Sequence, residues 1–219
     1  MKSCIALLAG TALAILAGSA RADVLSLNAS GFVGAASGTG LGGTQKDDAF
    51  HQGAEGVAYG GSVGVEFLFL DGWIDHTQYR NADGLAGTWT QFMVGLDVEI
   101  GLGEPEHVRV QDDYGDQKLE RKPYTPGFFE LGMGLGFGVG TGQQIDPPLD
   151  YTEVTDRGFL VQASAHIGYR LNRVFSLGVK IPVQAGYMFK KGVANDENNH
   201  YQSLQGAVLL NLQMKLLLK

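Results

Sequence analysis

The chain alternates between apolar and mixed positions over unusually long stretches. In 57–69, Val57, Tyr59, Gly61, Val63, Val65, Phe67 and Phe69 fall on one face, and Ala58, Gly60, Ser62, Gly64, Glu66 and Leu68 on the other. A strand sends successive side chains to opposite sides, so a period of two gives one greasy side and one mixed side. The same polarity returns in five later runs. In 88–102, Phe92, Val94, Leu96, Val98 and Ile100 oppose Trp89, Gln91, Met93, Asp97 and Glu99; in 127–140, Phe129, Leu131, Met133, Leu135 and Phe137 oppose Glu130 and a row of glycines. In 159–171, Val161, Ala163, Ala165 and Ile167 oppose Gln162, Ser164, His166 and Arg170. In 175–189, Leu177, Val179, Ile181 and Val183 oppose Ser176, Lys180, Pro182 and Gln184. In 204–218, Val208, Leu210, Leu212 and Met214 oppose Gln205, Asn211, Gln213 and Lys215. Residues 24–36 form a weaker first strand and 73–80 a short third one whose inner face the pattern does not decide, which makes eight.

A soluble β-sandwich or lipocalin-like barrel also alternates, but its strands typically run about 5–6 residues. Several of these runs reach 13–15 residues, longer than the roughly 9–11 that a tilted strand needs to cross hydrocarbon. The mixed face is rich in glycine, glutamine and charge, as a narrow lumen requires. Beyond the N-terminus no segment has 18 consecutive apolar residues, so no membrane helix is predicted there. The predicted fold is all-β: an antiparallel up-and-down transmembrane β-barrel of eight strands.

Connector lengths orient it. Asp71–Gly72 and Asn172–Arg173 are expected as tight turns, whereas the connectors 37–55, 81–87, 141–158 and 190–203 are longer. Short turns face the periplasm in such barrels and long loops face outward, so both termini are expected in the periplasm. One connector, 103–126, breaks the rule. It is long and charged, with Val108 and Val110 before an Asp113–Asp116 turn. It is expected either to extend the two flanking strands beyond the bilayer or, as residues 104–125, to dock a periplasmic partner.

The first 22 residues carry Lys2, an apolar run from Ile5 to Ala17 and small residues up to Ala20, Arg21 and Ala22. This is the layout of a cleaved secretory signal peptide, too short in its apolar part to span a bilayer. Residues 23–219 then form a single barrel domain. The only cysteine, Cys4, leaves with the peptide, which excludes disulfides, cysteine-metal sites and thiol nucleophiles from the mature chain. Loss of Lys2 and Arg21 leaves 14 of 16 basic residues against 23 acidic ones, a net charge of −9, which argues against a nucleic-acid partner.

Signal peptide, eight two-faced strands and loop asymmetry together resemble the small bacterial outer-membrane barrels such as OmpA, OmpX and OmpW, over nearly the whole mature chain. The resemblance is one of pattern, without a specific motif. It implies an integral outer-membrane protein, surrounded by outer-membrane lipid, exported through the inner membrane and inserted by the barrel-assembly machinery. Roles in such families range from envelope structure and adhesion to passage of small hydrophobic compounds.

Two groups of inward residues are candidates for chemistry. Glu66, Asp97, Glu99, Glu130, Arg170 and Lys215 fall near the periplasmic ends of their strands, with Lys180 a little higher. Opposite charges confined in a narrow lumen should pair, because an unpaired buried charge costs several kcal/mol, and the expected result is a charge plug. Above them, Trp89, Met93, Leu160, Met188 and Leu209 are expected to line either a packed core or a pocket for a small hydrophobic ligand. Enzymatic signals are weak. Ser164 and His166 share a face without an evident orienting acid. Asp75 and His76, being adjacent, face opposite ways. Gly38, Gly40 and Gly43 match a G-x-G-x-x-G pattern, but no helix follows and the segment reads as an external loop. No cofactor and no metal site is predicted. The protein is expected to serve as a structural or interaction barrel and not as an enzyme; passage or binding of small hydrophobic ligands is the alternative.

Overall fold

The computed structural model describes residues 25–43, 56–68, 70–80, 86–103, 107–111, 117–121, 125–146, 150–191 and 200–218. The expected signal peptide lies outside them. Ten strands follow in chain order: β1 (Leu25–Gly43), β2 (Gly56–Phe67), β3 (Leu70–Arg80), β4 (Ala86–Leu102), β5 (His107–Gln111), β6 (Gln117–Arg121), β7 (Gly127–Asp146), β8 (Asp150–Arg170), β9 (Phe175–Lys191) and β10 (His200–Leu218). All but β5 and β6 close into one antiparallel barrel, β1 pairing with both β2 and β10. Closure leaves the barrel without an open edge where its strands are paired on both sides, which is the condition for a sheet in hydrocarbon.

The alternation sorts as the sequence predicts. Val94, Met133, Leu135, Phe159, Val161 and Val208 point outward, and exposure among the outward large apolar side chains reaches 68%. Soluble monomers do not present a continuous apolar belt of this kind. Phe67, Phe129, Tyr169 and Phe175 stand within three residues of the turn-side ends of their strands, as an interfacial aromatic girdle does. The fold is therefore a transmembrane-type barrel with an inverted polarity, greasy outside and mixed within.

Register fixes its width. Following paired residues once around, Leu25–Phe67–Leu70–Leu96–Met133–Ala163–Val183–Gly206–Ser37, returns to β1 twelve residues above the start. Stagger, tilt and size are linked in a closed sheet, and this stagger tilts the strands strongly.

The structure corrects three local expectations. The β2–β3 turn falls between Phe67 and Leu70, not at Asp71–Gly72, because Phe67 pairs with Leu70 and Glu66 with Asp71. Leu68, expected on the inner face, is exposed and takes a left-handed φ of 58°. Two-residue hairpin loops demand positive φ, so tight strand connection outweighs the residue's preference. Second, pairing continues far into the connectors expected at 37–55 and 141–158: β7 and β8 stay in register out to Asp146 and Asp150, and β1 runs to Gly43. Thr141, Tyr151, Thr152, Val154 and Thr155 favour strands although the apolar alternation has stopped. Third, Gly38, Gly40 and Gly43 belong to β1 and not to a loop, with a register shift between Gly40 and Gly42.

The other tight turn is as expected. Asn172 Oδ1 accepts from the backbone N–H groups of Val174 and Phe175, both at 2.8 Å, the local device by which asparagine shapes turns. Connector 103–126 contains its own hairpin, β5 paired with β6 from His107–Arg121 to Gln111–Gln117 as a sheet separate from the barrel.

Candidate functional site: a two-storey lumen

The lower storey opens at the turn side. A cavity of about 130 Å³ is lined there by Glu66, Asp71, Asp97, Glu99, Glu130, Arg170, Lys180 and Lys215 together with Asn28, Asn211 and the 172–175 turn. All seven charged residues expected in the lumen cluster thus come together. Lys215 Nζ meets Glu66 Oε2 at 2.6 Å, and Ser26 Oγ donates to the same oxygen at 3.0 Å. Asn28 Nδ2 adds a longer contact to it at 3.4 Å. Arg170 pairs with Glu99 through Nη2 and donates from Nη1 to the Thr125 carbonyl at 2.7 Å. Its guanidinium also stacks over Phe128, 5.0 Å from the ring centre. Both pairs keep partial contact with water, so each contributes less than a fully buried pair would.

Deeper in, His166 is almost fully buried and lies edge-on to Phe128, ring centres 4.9 Å apart. Its Nδ1 stands 4.0 Å from Glu130 Oε1, its cross-strand partner. An acid therefore does accompany Ser164 and His166, yet Nε2 of His166 has no hydrogen-bond partner. Nucleophile and base are accordingly not joined through that nitrogen. Asp71 and Asp97 are linked by a side-chain hydrogen bond, and Lys180 is within electrostatic range of both and of Glu130.

Between the storeys runs a hydrogen-bonded band. Asp75 Oδ2 accepts from Trp73 Nε1 at 2.9 Å and from Gln91 Nε2 at 2.8 Å. Gln91 Nε2 also reaches Gln162 Oε1 at 3.0 Å, while Gln91 Oε1 accepts from Trp89 Nε1 at 3.0 Å. Burial makes each of these donors and acceptors expensive to strand, so the band is a rigid cross-tie.

The upper storey is packed. Trp89, Met93, Leu160, Met188 and Leu209 join Ala36, Ala58, Trp73 and Tyr79 in one buried cluster, with Phe32 and Ala207 against it. The β7 glycines face this cluster and leave room for it. A Cβ on Gly138 would lie 2.6 Å from Trp89 Cε2 and 2.9 Å from Leu160 Cδ1, and one on Gly136 would lie 2.6 Å from Met93 Sδ. The glycine wall is thus a socket already filled. The space left beside it is about 60 Å³, against the roughly 300–1,000 Å³ of small-molecule sites.

Asp71, Trp73, Asp75 and Phe128 were not anticipated in the lumen. The first three follow once the β2–β3 turn is placed between Phe67 and Leu70, because odd-numbered residues of β3 then face inward. Phe128 shows its role through period alone, since it alternates with Glu130. His76 and Thr90 do the opposite, meeting at 2.8 Å on the outer wall. Among the described residues no group of three or more His, Cys, Asp or Glu converges as a metal site.

Closed register, an apolar exterior and a mixed interior define the class: an eight-strand transmembrane β-barrel. No family model and no curated protein matches the sequence. Solved structures do. The Neisserial surface protein A (NspA) is similar with 11% identity and a TM-score of 0.49, over 88% of this chain and 97% of that one. The N-terminal β-barrel domain of Pseudomonas aeruginosa OprF is similar with 13% identity and a TM-score of 0.44, over 87% and 97%. The Escherichia coli outer membrane protease OmpT shows 10% identity and a TM-score of 0.32, over 87% and 97%.

Proposed function

We propose that this chain is an integral bacterial outer-membrane barrel with a structural or interaction role, whose lumen is shut by paired charges below and interlocked side chains above. The observation that carries the reading is the filled interior: the charge pairs Lys215–Glu66 and Arg170–Glu99 stand below, and Trp89, Leu160 and Met188 are each no more than 2% exposed above. With the interior filled in this way, contacts with partners fall to the rims. The two tight turns and both chain ends then lie on the periplasmic side, with the β5–β6 hairpin beside them as a docking element for a periplasmic partner at 104–125. The separateness of that hairpin from the barrel sheet supports this use. The chain reaches its place by an N-terminal signal peptide of residues 1–22 and the barrel-assembly machinery.

Planar-bilayer recording tests the closure. The purified barrel is expected to give no steady single-channel current; steady ion conductance refutes the plug. Passage of small hydrophobic compounds is the weaker reading, since the packed upper storey offers them so little space.

A further inference from the structure

We propose that the lower storey binds a small organic cation, a primary ammonium or short diamine, entering from the turn side. Two independent features point there. The first is a surplus of acid: five carboxyl groups, Glu66, Asp71, Asp97, Glu99 and Glu130, face four cationic side chains, Arg170, Arg173, Lys180 and Lys215, on the same cavity, and two of the acids, Asp71 and Asp97, have only each other as hydrogen-bonded carboxyl partner. The second is an excess of acceptors. Asn211 is only 3% exposed, yet its Oδ1 has no hydrogen-bond partner, and it lines the same cavity. Asn28 Oδ1 and Asp71 Oδ1, of residues lining the same cavity, are likewise buried and unpartnered. The Asn28 orientation is fixed by its amide nitrogen, which faces the Glu66 carboxylate.

A buried acceptor without a donor is costly, and three of them lining one cavity call for a ligand that brings several donors at once. An ammonium group carries three N–H donors and a positive charge, meeting both needs. A bare metal ion fits worse, because the described acids and histidines do not converge three to a point, and a cavity of about 130 Å³ is far wider than one coordination shell. The wall also holds the Trp73 ring, a face that cations favour. The site does not rest on the lumen being closed: an open channel could hold the same cation, so bilayer recording and ligand titration can fail separately.

The test uses the full mature barrel refolded in detergent at low salt. Putrescine is titrated by calorimetry, and Trp73 fluorescence is followed in a Trp89→Phe background, with butane-1,4-diol, sodium chloride and calcium chloride as comparison titrants. The expected result is saturable binding of putrescine that the neutral diol does not reproduce and that matched ionic strength of sodium or calcium does not equal. The double variant Asp71→Asn, Asp97→Asn should weaken it about tenfold or more, since charge-assisted hydrogen bonds are lost. Asn211→Leu gives a second reading that leaves every charge in place and should also weaken binding. Absence of saturable binding in the unaltered barrel, equal binding of calcium, or unchanged affinity in both variants overturns the proposal. The wild-type titration decides even where a variant fails to fold.

Discussion

Adding one methyl group at Gly138 should destabilise the barrel, while adding one at Gly72 should stabilise it. A Cβ at Gly138 would stand 2.6 Å from Trp89 Cε2 and closer still to Cζ2, where 3.4–4 Å is ordinary contact. Trp89 cannot yield cheaply: it is 1% exposed and tied by its indole N–H to Gln91 at 3.0 Å. Overpacking of this kind costs about 1–3 kcal/mol. Relief of strand-glycine entropy returns roughly 0.5–1 kcal/mol, so the net loss in Gly138→Ala should lie at about 0–2.5 kcal/mol, and toward the upper end because contacts under 3 Å meet a side chain that is buried and tied. Gly72 faces outward with no atom within 4 Å of its Cβ position, and Gly72→Ala should gain about 0.5–1 kcal/mol. Urea unfolding of barrels refolded into lipid vesicles, followed by far-UV circular dichroism, measures both. Trp89→Phe removes the atoms in conflict, so Gly138→Ala should cost less in that background, with a coupling of about 1 kcal/mol. If the two alanines prove equivalent in sign, the glycine wall is not a socket for Trp89 and the upper storey is not packed as described.

Two further changes probe the two surfaces. Leu135→Arg, at a lipid-facing position 68% exposed, should cost about 2–4 kcal/mol in vesicles, whereas Leu102→Arg at the end of β4 should cost about 0–1 kcal/mol. Equal penalties would mean that the belt does not sit in hydrocarbon. Lys215→Met strands Glu66 beneath Ser26 and Asn28. With Lys215 37% exposed, the loss should be about 1–2 kcal/mol, below the roughly 3–5 kcal/mol of a fully buried broken pair, read from the shift in urea midpoint.

The facing of each residue was legible from sequence wherever the alternation was strong, because period two needs no knowledge of neighbours. That is why Glu66, Asp97, Glu99, Glu130, Arg170, Lys180 and Lys215 could be assigned inward from strands read one at a time. Failure came where facing depended on a turn. Asp71–Gly72 carries the residues that usually make turns, while the actual loop contains Leu68 in a left-handed conformation. Misplacing that turn hid Asp71, Trp73 and Asp75, and with them the tie between the storeys. Strand ends were equally opaque at 141–158, since pairing is a backbone property and outlasts the hydrophobic signal that hydrocarbon imposes. Cross-strand partners such as Glu130 and His166 were beyond reach because register is written in the hairpin connections and not in either strand.

Register also explains why the interior is divided as it is. Eight strands alone suggest a lumen that ordinary side chains fill, but the twelve-residue stagger spreads the sheet over a strongly tilted barrel and enlarges the interior. Large groups must then occupy it, and the upper storey supplies Trp73, Trp89, Met93, Leu160 and Met188, with glycines opposite so that the tryptophans fit. The lower storey could not be filled in the same way without placing an apolar surface at a mouth exposed to water. Charges stabilise that mouth because they remain partly hydrated there, and their long side chains reach across it: Arg170 spans from β8 to Glu99 on β4, and Lys215 from β10 to Glu66 on β2. Each of these bridges skips an intervening strand, so it constrains the cross-section of the barrel as well as compensating charge. Apolar packing thus sets the shape of the upper storey, and ion pairs that leap a strand set the shape of the lower one.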